Sequence, residues 1–190
     1  MSDKVYYPVF LDLTGKSCVI VGGGKVAERK CSALIKAGAK LTVISPEITK
    51  RLVACKKGGL IRHVHRDYRS TDIKSAFVVI AATDSEETNK KVAKDAMAGK
   101  KLLNVVDTPG LCNFIVPSVF NRGLLTIAIS TGGASPAIAK AIRKELQKLY
   151  GPEYSRYLKS IRDARSRAMR EISNKKDREK FLKALAASNS

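Results

Sequence analysis

A short apolar run, Cys18-Val19-Ile20-Val21, stops at three consecutive glycines, and an amphipathic stretch starts immediately after them. In that stretch Ala27, Cys31, Leu34 and Ile35 recur at helical spacing and share one face. A buried strand that turns on glycine into a helix is the opening unit of a layered α/β fold with a parallel sheet. Gly22, Gly24 and Ala27 also fit the G-x-G-x-x-G/A spacing of a dinucleotide-binding turn. Glycines at Gly22, Gly23 and Gly24 would let backbone amides and the helix N-terminus approach a pyrophosphate. The same glycines would serve a purely structural turn, and the strand–turn–helix context favours the cofactor.

The alternation continues down the chain. Gly38 closes the first helix, and Lys40-Leu41-Thr42-Val43-Ile44 reads as a second strand. Dinucleotide-binding folds meet the adenine ribose at the end of this strand, usually through an acidic residue. Here the strand runs into Ser45-Pro46-Glu47, so Ser45 and Glu47 are the candidate ribose contacts. No arginine stands at the strand end, which favours NAD over NADP. Glu47 has a plainer reading as the first-turn acid of a helix over 47–57.

Leu60 to His65 is expected to be a third strand, with His63 and His65 on one face as a solvated pair rather than a metal site. Ala76 to Ala82 is uninterruptedly apolar, as a central strand buried on both faces requires. It ends at Thr83-Asp84, beside the glycine turn in such a topology. A fifth strand, Lys101 to Val106, delivers Asp107, a carboxylate at a strand's carboxyl end where α/β enzymes place reactive groups. A turn-forming aspartate would look the same.

After Asp107 the rhythm breaks. Phe114-Ile115-Val116-Pro117 and Leu124 to Ile129 are apolar segments joined by the turn signal Asn121-Arg122-Gly123. Ser130-Thr131-Gly132-Gly133-Ala134-Ser135-Pro136 then feeds a helix, with Ser135 as its cap and Pro136 at its first position. Thr131, Gly132 and Ser135 therefore form a second anion-binding candidate. From Lys140 onward 15 residues are basic and 6 acidic, on a helical pattern.

The formal net charge is +19. It calls for a polyanionic partner: nucleic acid, an anionic membrane surface or a small polyanion. A solubilising surface is the plainer account. No apolar run reaches the length of a membrane span and no secretory pattern opens the chain, so a cytoplasmic location is expected. Cys18, Cys31, Cys55 and Cys112 show neither zinc nor disulfide spacing, and no metal site is expected.

These motifs together resemble a known family. Gly22 to Lys30, Ala81-Ala82-Thr83-Asp84, Asn104-Val105-Val106-Asp107, Phe114 to Ser118 and the Ser130–Pro136 loop are similar to the N-terminal half of siroheme synthase and to stand-alone precorrin-2 dehydrogenases. The resemblance runs from about Pro8 to about Leu149. It implies a Rossmann-type domain over 1–113, a dimerisation region over 114–150 and a small helical domain over 151–190. It implies NAD-dependent oxidation of precorrin-2 to sirohydrochlorin; some relatives also insert ferrous iron, a point the residues leave open. Asp107 is the implied catalytic carboxylate. Cofactor contacts carry over to Gly24, Lys25, Val26, Pro46 and Glu47, with Thr83 and Asn104 added. The polycarboxylate tetrapyrrole gives the positive charge a partner, and Arg122 is one candidate to bind it, with Thr131 facing the substrate. A homodimer is implied, with the substrate between subunits. The rival reading is an NAD(H)-responsive regulatory protein whose basic tail contacts DNA, although Asp107 and the second glycine loop disfavour nucleic acid.

Overall fold

The computed structural model describes residues 4–187. It divides into two compact units, Met1–Ile115 and Val116–Ser190.

In the first unit β1 (Ser17–Val21), α1 (Lys25–Lys36), β2 (Lys40–Ile44), α2 (Lys50–Lys57), β3 (Ile61–Val64), β4 (Val78–Ala81), α3 (Glu86–Ala98) and β5 (Leu102–Val105) follow one another. The strands form one parallel sheet in the order β3-β2-β1-β4-β5. This is the doubly wound, Rossmann-type order, which reverses direction between β1 and β4. Strand alternation divides the core between the two faces. Cys18, Ile20, Leu41, Val43, Val78 and Ile80 pack with Ala27, Cys31 and Leu34 of α1 and Leu52 of α2. Val19, Val21, Val79, Ala81, Leu103 and Val105 pack on the other face with Val92, Ala93 and Ala96 of α3. Each large aliphatic side chain buried this way contributes about 1.5–3 kcal/mol.

The aromatic opening, Tyr6 to Leu11, stays outside the core, with Tyr7 and Phe10 87% and 74% exposed. Of the described residues before β1, only Leu13 enters the core. The segment has no regular structure to hold its alternate residues against the sheet. The second helix was expected from residue 47, yet it begins at Lys50 because Thr49 is its cap, the hydroxyl accepting from the Leu52 amide. Glu47 is therefore not a first-turn helix acid.

The second unit holds an antiparallel ribbon, β6 (Ser118–Arg122) and β7 (Leu125–Ile129), then α4 (Pro136–Leu149), α5 (Glu153–Glu171) and α6 (Lys175–Ala187). The ribbon starts after Pro117, which has no N–H to give to a ladder. Its turn falls at Gly123-Leu124, one residue later than Asn121-Arg122-Gly123 suggested. Gly123 takes φ +57° and abuts Ser155 of α5 so closely that no side chain fits. Among the described residues of this unit, Phe120, Ala139 and Ala168 are the buried apolar ones.

Candidate active site

The exits of β1, β2, β3 and β4 enclose a cleft of about 640 Å³, within the range of small-molecule sites. It lies at the switch point of the sheet, where ligands of such folds bind. Gly22, Gly23, Gly24, Lys25, Val26, Ser45, Pro46, Glu47 and Thr83 all line it, so nine of the ten expected cofactor residues are brought together.

Each glycine has a separate reason. Gly22 sits at φ +118°, and a side chain there would strike the Ala82 carbonyl. Gly23 lies against the backbone of Glu47. Gly24 faces open space, with nothing within 4 Å of where a Cβ would be. Gly24 is also the N-cap of α1, and no side chain satisfies the amides of that helix start. By contrast Thr49, Ser85 and Ser135 cap α2, α3 and α4 with their side chains. A long helix that leaves its first amides open onto a cleft is built for an anion. The residues present therefore fit a dinucleotide pyrophosphate.

Neighbouring polar groups are held in place. The Ser45 hydroxyl donates to the Glu47 carbonyl at 2.6 Å, which shapes the turn after β2. Thr49 donates to Glu28 at 2.6 Å, drawing this first-turn acid of α1 aside. The Thr83 hydroxyl accepts from the Ser85 amide at 3.2 Å and closes the turn into α3.

Sequence reasoning missed Arg66, Asp67 and Tyr68, which line the same cleft from the exit of β3. The Arg66 guanidinium grips Asp72 with two bonds of 2.8 and 2.6 Å. Tyr68 is buried and donates to Asp95 at 2.9 Å; burial raises its phenol above the ordinary value, and Asp95 adds to the shift. The signal was available in the rule that adjacent parallel strands end side by side. His63 was read as half of a solvated pair; its Nε2 instead bonds the Ser45 carbonyl at 2.9 Å while its ring stacks on His65. Among the described residues no cluster of three His, Cys, Asp or Glu side chains is placed to hold a metal.

Asn104, the tenth expected cofactor residue, does not line the cleft. It is buried in β5, and its amide donates to the Phe114 carbonyl at 3.3 Å. Asp107 stands exposed just beyond β5 at φ +57°; it and Lys100 are the non-glycine residues with positive φ among those described. Aspartate tolerates the left-handed region better than most side chains, and here it turns the chain out of the sheet. Lys30 of α1 is a further residue the sequence did not single out. Burial lowers its ammonium below the ordinary lysine value, Arg29 adds to this, and Cys112 and Asp107 pull it back up. Lys30 is thus within electrostatic reach of Asp107.

The remaining expected residues lie in the second unit. Thr131 and Ser135 tie the loop before α4 together, the Thr131 hydroxyl accepting from the Ser135 amide at 3.1 Å. Gly132 takes φ +64° in that loop, and its amide donates to the Ser130 hydroxyl at 3.1 Å. Arg122 donates to the Tyr150 carbonyl at 3.2 Å and to Gln147 at 3.5 Å, so its guanidinium caps the end of α4.

Comparison with known proteins agrees with this geometry. Residues 9–118 match the family model described as putative NAD(P)-binding, and residues 122–149 match that of the sirohaem biosynthesis protein central region. The siroheme synthase of Methylobacillus flagellatus is 42% identical over 149 residues, 78% of this chain and 32% of that one. That of Thioalkalivibrio sulfidiphilus is 37% identical over 180 residues, covering 95% and 37%. The chain belongs to the siroheme synthase and precorrin-2 dehydrogenase family. It spans about a third of the length of those siroheme synthases. The solved structure of SirC, a precorrin-2 dehydrogenase, superposes with a TM-score of 0.86 at 29% identity, covering 96% of this family member and 90% of SirC.

Proposed function

We propose that this protein oxidises precorrin-2 to sirohydrochlorin with NAD as the hydride acceptor. The observation that carries the reading is the uncapped start of α1, opening with Gly24 onto a cleft at the switch point. The likeness to SirC over nearly the whole of both chains supports it. When bound, the nicotinamide supplies a two-electron acceptor. The glycine turn and the amides of Lys25 and Val26 would hold the pyrophosphate, with Glu47 and Ser45 as the ribose contacts. Loss of a hydride from the reduced tetrapyrrole must be matched by loss of a proton, and Asp107 is the carboxylate that accepts it.

The tetrapyrrole's carboxylates explain the net charge of +19. Thr131, Gly132 and Ser135 offer a second anion-binding loop. Residues 114–150 serve as the dimerisation region: Val119, Leu124, Ile138, Ile142 and Leu149 are all at least 37% exposed on the ribbon and α4. A homodimer of about twice 20.7 kDa is expected from light scattering. A cytoplasmic location follows from the reading, and among the described residues no helix is long and apolar enough to cross a membrane.

The deciding experiment incubates the protein anaerobically with precorrin-2 and NAD⁺. Appearance of NADH together with the sirohydrochlorin spectrum is expected. Absence of both overturns the proposal.

A further inference from the structure

In this strongly basic chain the cleft carries more acidic than basic residues. The cleft is lined by the carboxylates of Glu47, Asp67 and Asp84, and its basic residues are Lys25 and Arg66. Arg66 stands at the exit of β3, next to the exit of β2, where an arginine would accept the 2′-phosphate of a phosphorylated dinucleotide. Its guanidinium is already committed. Nη1 and Nη2 donate to the two oxygens of Asp72, and Nη1 also donates to the Asp67 carbonyl at 2.9 Å. Asp72 is itself fixed, accepting from the Arg69 amide at 2.8 Å at the head of a 3-10 turn over Ser70–Ile73. The two side chains are 34% and 10% exposed, so the pair is shielded rather than loose on the surface.

We propose that the Arg66–Asp72 fork sets the cofactor choice of this cleft, by withdrawing its arginine from phosphate and leaving the β2–β3 end acidic. This rests on the reading of the cleft as a dinucleotide site. The bonds of Arg66 to Asp72 and Asp67 occupy three of the five guanidinium N–H donors, and the paired carboxylate offsets the charge that a phosphate would need. The ribose 2′-hydroxyl, a donor as well as an acceptor, suits the carboxylates of Glu47 and Asp67. A 2′-phosphate in the same place meets like charge from those carboxylates, with Arg66 already paired to Asp72. The hydrogen bonds from Arg66 hold the Asp72 carboxyl below its ordinary value, so the fork persists at neutral pH.

The test is calorimetric titration of NAD⁺ and NADP⁺ into the wild type, Asp72→Asn and Asp67→Asn, with thermal unfolding of each. Wild type is expected to bind NADP⁺ at least about tenfold more weakly than NAD⁺. Asp72→Asn frees Arg66 and is expected to tighten NADP⁺ by about tenfold while NAD⁺ moves by less than about threefold. Asp67→Asn alters an exposed residue without touching the fork's side chains, and is expected to tighten NADP⁺ by about threefold at unchanged stability. Equal affinity of wild type for both nucleotides overturns the proposal. So does an unchanged NADP⁺ to NAD⁺ ratio in both variants, the second of which does not depend on the 3-10 turn. Binding of neither nucleotide to folded wild type overturns the dinucleotide reading itself, and the proposal with it.

Discussion

The side chain that Gly23 lacks would fall on the backbone oxygen of Glu47. The glycine turn after β1 and the Ser45–Glu47 turn after β2 are therefore packed backbone to backbone. That contact is reinforced by the Thr49 amide, which donates to the Gly23 carbonyl at 3.1 Å. The two walls of the cleft are one construction.

Gly23→Ala should accordingly damage fold and site together. The methyl must displace the Glu47 backbone and its Ser45 bond, an overpacking that costs about 1–3 kcal/mol. A lowered unfolding midpoint in denaturant and a loss of NAD⁺ affinity are expected in the same variant.

Gly24→Ala should separate them. Its φ is −80° and nothing lies near the added methyl, so stability should change by less than about 1 kcal/mol. The methyl enters the space left open over the first amides of α1. Weaker NAD⁺ binding at near-wild-type stability is the expected result, measured by calorimetry and thermal unfolding.

Asp107→Ala should spare cofactor binding, since Asp107 lies outside the cleft lining. Loss of a positioned proton acceptor lowers turnover by about 10²–10⁴-fold. Turnover in the precorrin-2 assay and NAD⁺ affinity, measured on the same preparation, check both halves.

The Arg66–Asp72 pair should make the first unit acid-sensitive. Bonds from Arg66 depress the Asp72 carboxyl in the folded protein below its ordinary value of 3.8. A depressed carboxyl contributes stability above the unfolded value, and that contribution is lost as pH falls through the folded one. The unfolding midpoint of wild type should therefore fall below about pH 4 more steeply than that of Asp72→Asn.

The thiols should differ sharply. Burial pushes the Cys31 thiol up to about 12, and Cys18 and Cys112 are also buried, while Cys55 is half-buried. A raised thiol contributes stability below its ordinary value of 9.0, lost as pH climbs toward about 12. At neutral pH in the native state, mass spectrometry after alkylation should show modification at Cys55 first.

Much of this was legible in local sequence. The Cys18–Val21 run, the Gly22–Gly24 turn and the Ala27, Cys31, Leu34 face encode strand, turn and helix through burial and glycine freedom, which neighbouring residues decide. The same holds for Ser135-Pro136, where the cap hydroxyl accepts from Ile138 as its chemistry requires. Thr49 was overlooked as a cap because it follows Glu47, an acid that suits a helix start equally well. The exposure of Tyr7 and Phe10 was not legible, because hydrophobicity says that a side chain favours burial, not whether a partner surface is within reach.

What the chain's own sequence determined is the strand–helix alternation, the glycine turn and the order in which groups leave the sheet. These depend on periodicity, backbone freedom and capping over a few residues. What tertiary structure alone decided is which exits share a wall. Strand order 3-2-1-4-5 puts the end of β3 beside that of β2, bringing Arg66 and Asp67 into the cleft that Glu47 lines, across some twenty residues of chain. It also buried Asn104 in its own strand environment and set Lys30 within the field of Asp107. Pairing between distant strands fixes those distances, and no local pattern carries that information.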